Sequence, residues 1–253
     1  MKIVGFFGKG GTGKTSIMAL ILREFIKRGE GEILAVDADP NECLACLLGI
    51  ENTPSIADMI QDFHEQKTKS PEITGVEVFQ NFFDTLLMKG EQEGYDMLIM
   101  GRGEGEGCYC AVNDLLKAVF RKTIDDDYYK YLLMDCEAGL EHIARKTSSK
   151  IHDVVIVTDA SKVSLDTLKR IREVANEVKA EIENYYVVAN RVRPGMEDKV
   201  KEAAESLGFT YMGAVPDDPL FQDMAYEGKT VFDLPDDAPV VQAVKKMVDK
   251  YMT

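Results

Sequence analysis

Residues Gly8-Lys9-Gly10-Gly11-Thr12-Gly13-Lys14-Thr15 fit the pattern G-x-x-x-x-G-K-[ST], and no other stretch constrains the chain as tightly. The pattern carries a mechanism only between a strand and a helix, and both flanks comply. Ile3-Val4-Gly5-Phe6-Phe7 is an apolar run of strand length, and Ser16 to Ile26 carries apolar residues at helical spacing. Such a strand, glycine turn and helix start converge backbone N–H groups on an anion, and the helix dipole adds to the attraction. Gly8, Gly10, Gly11, Thr12 and Gly13 are expected to wrap phosphate, with Ser16 at the helix start beside them. Lys14 should reach the β- and γ-phosphates, and the Thr15 hydroxyl should ligate Mg²⁺.

Lys9 is a second lysine among these glycines. A side chain there projects away from the chain's own nucleotide. It is either a solvated loop lysine or one that crosses a dimer interface to neutralise the partner's phosphate, as an arginine finger does. The second reading is preferred, because Lys9-Gly10-Gly11-Thr12-Gly13-Lys14-Thr15 resembles the deviant Walker A motif of the MinD/ParA/nitrogenase iron protein class. That resemblance implies a P-loop ATPase that dimerises around two ATP molecules.

With 253 residues, 45% of them hydrophobic, the chain can bury one sizeable core. Its formal charge of −14 disfavours nucleic-acid partners, which need clustered Lys and Arg, and equally disfavours an anionic membrane. No apolar run approaches the roughly 18 residues of a spanning helix, and no leader-like segment precedes the first strand. Five cysteines suggest reduced thiols and metal work, so a cytoplasmic location is expected.

Strand-length apolar runs alternate with helical stretches along most of the chain. Strands are predicted at Ile33 to Asp37, Val76 to Phe79, Met97 to Met100, Tyr131 to Met134, Val154 to Val157, Tyr185 to Val188 and Tyr211 to Val215. Helices are predicted from about Glu42, over Ser55 to His64, Ala111 to Lys122, Val163 to Ala180, Met196 to Leu207 and Ala238 to Tyr251. The fold class is therefore α/β: a single domain over residues 1–253, with a mostly parallel sheet of about seven to eight strands covered by helices on both faces. The last helix gathers Val240, Val241, Val244, Met247, Val248 and Tyr251 on one side, and packing against the sheet is preferred over gripping lipid.

Ligands of a parallel sheet lie at the carboxyl ends of its strands. Asp37-Ala38-Asp39-Pro40 and Asp135-Cys136-Glu137-Ala138-Gly139 both follow predicted strands. Asp135 takes the Walker B position and should hold Mg²⁺ through water, with Asp37 supporting that shell. Asp39 lies in the turn and matches the switch I aspartate of the class above, which implies that it orients the attacking water. Asn190 follows a strand end and offers an adenine edge both donor and acceptor, while Pro216 and Asp217 could frame the ring. The class resemblance implies adenine contacts at these positions. No Asn-Lys-x-Asp guanine motif occurs, which favours ATP/ADP.

Cys108-Tyr109-Cys110 separates the relatives within this class. It follows a glycine-rich loop, Gly101 to Gly107, and precedes a predicted helix. Residues two apart on a helix point about 200° from each other, whereas at a loop-to-helix junction they can converge. One chain gives two soft ligands and Zn²⁺ or Ni²⁺ with thiolates wants four, so two chains are required unless the thiols are incidental. The P-loop, Asp37-Ala38-Asp39-Pro40, Gly107-Cys108-Tyr109-Cys110 and Asp135 to His142 together resemble the CooC family of nickel-insertion ATPases. The resemblance implies a homodimer that binds Ni²⁺ (or Zn²⁺) through Cys108 and Cys110 and serves apo carbon monoxide dehydrogenase or a related nickel enzyme. A rival expectation is an iron–sulfur cluster carrier or reductase with a bridging cluster. Cys43-Leu44-Ala45-Cys46 adds a C-x-x-C pair, for which packing within an apolar helix is preferred over metal or redox work.

Overall fold

The computed structural model describes residues 1–39, 41–50, 54–69, 87–90, 94–101, 128–136, 150–177, 181–193 and 195–252. Eight strands form one sheet: β1 (Lys2–Phe7), β2 (Ile33–Ala38), β3 (Met88–Lys89), β4 (Tyr95–Ile99), β5 (Tyr131–Cys136), β6 (Ile151–Thr158), β7 (Ile182–Asn190) and β8 (Thr210–Val215). Their spatial order is β3-β4-β2-β5-β1-β6-β7-β8. Every pairing is parallel except β3 with β4, so seven parallel strands end in a two-residue antiparallel edge. Among the described residues the helices are α1 (Lys14–Arg28), α2 (Cys43–Leu48), α3 (Ile56–Lys69), α4 (Lys162–Glu177), α5 (Glu197–Ser206), α6 (Pro219–Tyr226) and α7 (Pro239–Tyr251).

The central strands are largely apolar because both faces are covered. Val4, Phe6, Ala35, Leu133 and Val155 point to a core built with α1, α2 and α7, while Ile3, Phe7, Leu34, Leu132 and Val154 point to one built with α3, α4 and α5. Successive residues of a strand face opposite sides, so a strand sandwiched by helices shows no polar alternation. This is the α/β, mostly parallel sheet that the sequence led us to expect. The expected strand at Val76 to Phe79 and helix at Ala111 to Lys122 lie outside the described residues.

Helix α7 packs as expected: Val240, Val241, Val244, Met247 and Val248 are all buried in the α1-side core. A buried arginine secures this side. Arg23 of α1, only 1% exposed, donates through Nη2 to the Leu234 carbonyl and to Asp236 Oδ1, both at 2.7 Å. Lys27 pairs with the same Asp236 carboxylate, and these two cations draw its pKa down to about 2. Arg23→Met keeps the buried stem but orphans the Leu234 carbonyl. It should cost about 2 kcal/mol, read as a lower urea midpoint with an unchanged slope.

Candidate nucleotide site

Strand β1 lies between β5 and β6, and the chain turns directly from it into the glycine loop. Backbone geometry shows why glycine is needed there. Gly8 has φ +150°, and a Cβ on it would stand 2.2 Å from the Val157 carbonyl oxygen of β6. Gly13, at φ +88° and ψ 30°, sits just before α1 in the left-handed region and offers no side-chain cap. The first turn of α1 carries no acidic residue, so its N–H groups remain available to an anion.

The loop's carbonyls are tied outward, which leaves its N–H groups for a ligand. Thr12 donates to the Lys9 carbonyl through its N–H at 3.2 Å and its hydroxyl at 2.8 Å. Asn190 Nδ2 donates to the Thr12 carbonyl at 2.8 Å, and Arg191 Nη2 to that of Gly11 at 2.9 Å. Lys14 is buried at the start of α1, whereas Lys9 is exposed.

Three carboxylates gather beside the loop. Asp37 and Asp135 are register partners on β2 and β5, both fully buried, so like charges face each other across one ladder step. Thr15 Oγ1 donates to Asp135 Oδ2 at 2.5 Å, while the buried Asp135 Oδ1 has no partner among the described residues. An orphaned carboxylate oxygen beside a threonine hydroxyl suits Mg²⁺, and Thr15 and Asp135 are the residues that would hold it. Burial raises the Asp135 pKa to about 6 against the lowering effect of Thr15 and Lys14. Burial first and Asp135 second raise Asp37 to about 7.

Asp37 also has a structural part. Its Oδ1 accepts the Asp39 N–H at 3.1 Å and its Oδ2 the Leu44 N–H at 3.0 Å. Both oxygens therefore bind the segment that leads from β2 into α2. Asp39 itself is half-buried, and its Oδ1 accepts from the Asn41 N–H at 3.0 Å and from Asn41 Nδ2 at 2.8 Å.

A cleft open to solvent continues from the loop between α1, the ends of β7 and β8, and α6. Ser16, Asn190, Pro216 and Asp217 line it, joined by Ile17, Leu20, Arg191, Phe221 and Gln222. Asn190 differs in detail from expectation, because one of its donors already serves the Thr12 carbonyl and so supports the loop as well as the cleft.

Residues 3–231 match the family model described as the CobQ/CobB/MinD/ParA nucleotide binding domain. The chain belongs to that family. An ATP-binding protein of Methanocaldococcus jannaschii is 34% identical to it over 251 residues, covering 98% of this chain and 97% of the other. The carbon monoxide dehydrogenase accessory protein CooC of Rhodospirillum rubrum is 27% identical over 237 residues, covering 90% of this chain and 88% of its own. Among solved structures, a ParA family ATPase from Chlorobium tepidum superposes with a TM-score of 0.74 at 18% identity, covering 98% and 99% of the two chains. Nucleotide binding thus stands on family membership, and the fold is that of the ParA and MinD enzymes.

Two features of this CobQ/CobB/MinD/ParA domain escaped the sequence reading. Arg191 was missed because its role needs a left-handed backbone, φ +52°, that turns its guanidinium over the loop. Helix α6 was missed although Asp218-Pro219 is a helix-start signature, N-cap then proline. Asp218 accepts the Leu220 N–H at 3.0 Å and, across the fold, the Val240 N–H at 3.4 Å, pinning α6 and α7 together under the cleft.

The cysteines divide. Cys108 and Cys110 lie outside the described residues. Cys136 is buried and donates to the Met134 carbonyl at 3.3 Å. The packing expected of Cys43 and Cys46 is overturned, since both thiols are free and exposed. Helix α2 buries Leu44, Ala45 and Leu48, which turns positions 43 and 46 outward.

Proposed function

We propose that this domain is a Mg²⁺-dependent ATPase acting as a homodimeric metallochaperone, carrying nickel on Cys108 and Cys110 to carbon monoxide dehydrogenase or a related nickel enzyme. The observation that carries the reading is the Cys108-Tyr109-Cys110 pair in a chain that aligns over nine-tenths of its length with CooC. One chain offers two thiolates there, and a second copy supplies the other two that a soft-donor site requires. The exposed Lys9 supports the same dimer, since a lysine projecting from the phosphate loop is available to a partner's nucleotide.

The residues divide the work of hydrolysis. Backbone N–H groups of the loop and Lys14 hold the phosphates, and Thr15 and Asp135 provide the oxygens for a cation. Mg²⁺, when bound, neutralises charge on the phosphate oxygens. Asp39 orients water on the segment that Asp37 secures. Phosphate loss then releases that segment, and the coupling to metal requires that nucleotide states prefer different subunit arrangements.

Anaerobic Ni²⁺ titration of the wild type and of Cys108→Ser/Cys110→Ser, with dimerisation followed in parallel, tests this reading. One metal ion per two chains, lost in the variant, is expected. Metal bound one per monomer and unchanged in the variant sinks it, and a chromophore near about 400 nm after anaerobic reconstitution would favour the iron–sulfur reading instead.

A further inference from the structure

Free cysteine is a small hydrophobe and ordinarily buried, so two exposed thiols on one helix call for a reason. Cys43 and Cys46 are three residues apart on α2, which places their Cβ atoms roughly 5–6 Å apart on one side of the helix. Neither forms a disulfide, and both are accessible. The Cys43 thiol also donates to the Asn41 carbonyl at 3.6 Å, so it touches the segment that carries Asp39. From these placements we infer that Cys43 and Cys46 form a soft-cation site, separate from Cys108 and Cys110, that takes a two-coordinate ion of the Cu⁺ type.

The coordination number follows from the donors present. Positions 43 and 46 supply two soft thiolates, which suit an ion satisfied by two such donors better than one that demands four. The surrounding charge favours a cation: Asp37 accepts the Leu44 N–H between the two cysteines, and Asp39 lies on the segment that the Cys43 thiol touches. The same carboxylates attract a positive ion, whose binding displaces the two thiol protons to solvent with no electron transfer. The site is also placed where it can matter. Leu44, between the two cysteines, is held through its N–H by Asp37, the register partner of Asp135.

The inference does not depend on nickel binding at Cys108 and Cys110, and the test keeps the two apart. A Cys108→Ser/Cys110→Ser/Cys136→Ser variant retains only the α2 thiols of the five cysteines. Reduced and anaerobic, it should take one Cu⁺ per chain from a bicinchoninate competitor. Adding Cys43→Ser/Cys46→Ser should weaken retention by about a hundredfold or more. Should the background variant fold poorly by circular dichroism, the comparison is wild type against Cys43→Ser/Cys46→Ser alone, where the stoichiometry should fall by one Cu⁺ per chain. Copper retention that is unchanged by removing both thiols, in either background, overturns the assignment.

Discussion

Gly13→Ala should abolish nucleotide binding, weakening it by at least about a hundredfold, and should also cost the fold about 2–4 kcal/mol. Two effects add. A residue with a Cβ pays about 1–2 kcal/mol to hold the left-handed conformation that Gly13 adopts. The new methyl would also stand 2.3 Å from Asn190 Nδ2 and 3.3 Å from Arg191 Nη2. Asn190 is buried and cannot swing into solvent, so relief means breaking its bond to the Thr12 carbonyl. The loop would then open at the position where its N–H groups must converge, and a loss of about 2.7 kcal/mol corresponds to a hundredfold in affinity. Isothermal titration with MgADP measures the first effect and urea unfolding the second. A double-mutant cycle with Asn190→Ala isolates the clash: the pair should be less destabilised than the sum of the singles by about 1 kcal/mol. Additive losses would mean that Asn190 does not confine Gly13.

The second large effect is on pH. Asp37 and Asp135 are raised to about 7 and about 6 from an ordinary carboxylate value near 3.8. A carboxyl whose folded-state pKa is raised binds its proton more tightly in the native state than in the unfolded chain. Its contribution to stability is fully present below the unfolded value and is lost as pH climbs through the folded one. The nucleotide-free protein should therefore lose about 4 kcal/mol between pH 5 and pH 8 from this pair. A cation at Asp135 prefers the ionised carboxylates, so saturating MgADP should flatten the dependence, and nucleotide binding in the presence of Mg²⁺ should release protons below pH 7. Denaturant midpoints at several pH values, with and without MgADP, report this. An apo-protein whose stability is flat or rising over that range would show that the buried pair is already ionised at low pH.

How much of this was legible in the residues varies with the range of the interaction involved. Strands β1, β2 and β4 to β8 and most helices were readable because an apolar run between helical stretches has few other fates. Their ends moved by a few residues, as with β7, which starts at Ile182 and not Tyr185. Helix α6 could have been found from Asp218-Pro219, a purely local signal. Asp37 could not have been assigned its role, because the Leu44 N–H comes within reach only when α2 folds back over the end of β2. The α2 cysteines misled for a related reason. Cys, Leu and Ala look equally apolar in sequence, and only the seating of Leu44, Ala45 and Leu48 against the core shows which side faces outward.

The sequence alone determined the phosphate loop and the acidic residues at strand ends. It also determined the α/β alternation and the paired thiols at 108 and 110. These are local patterns, in which each residue's chemistry is nearly independent of distant neighbours. Only the tertiary structure decided that Asn190 and Arg191 brace the loop, that Asp37 and Asp135 face each other across a ladder, and that Cys43 and Cys46 look into solvent. Each of these depends on which strands become neighbours in space. The order β2-β5-β1-β6-β7 brings together residues up to 180 positions apart, and no local preference encodes that arrangement.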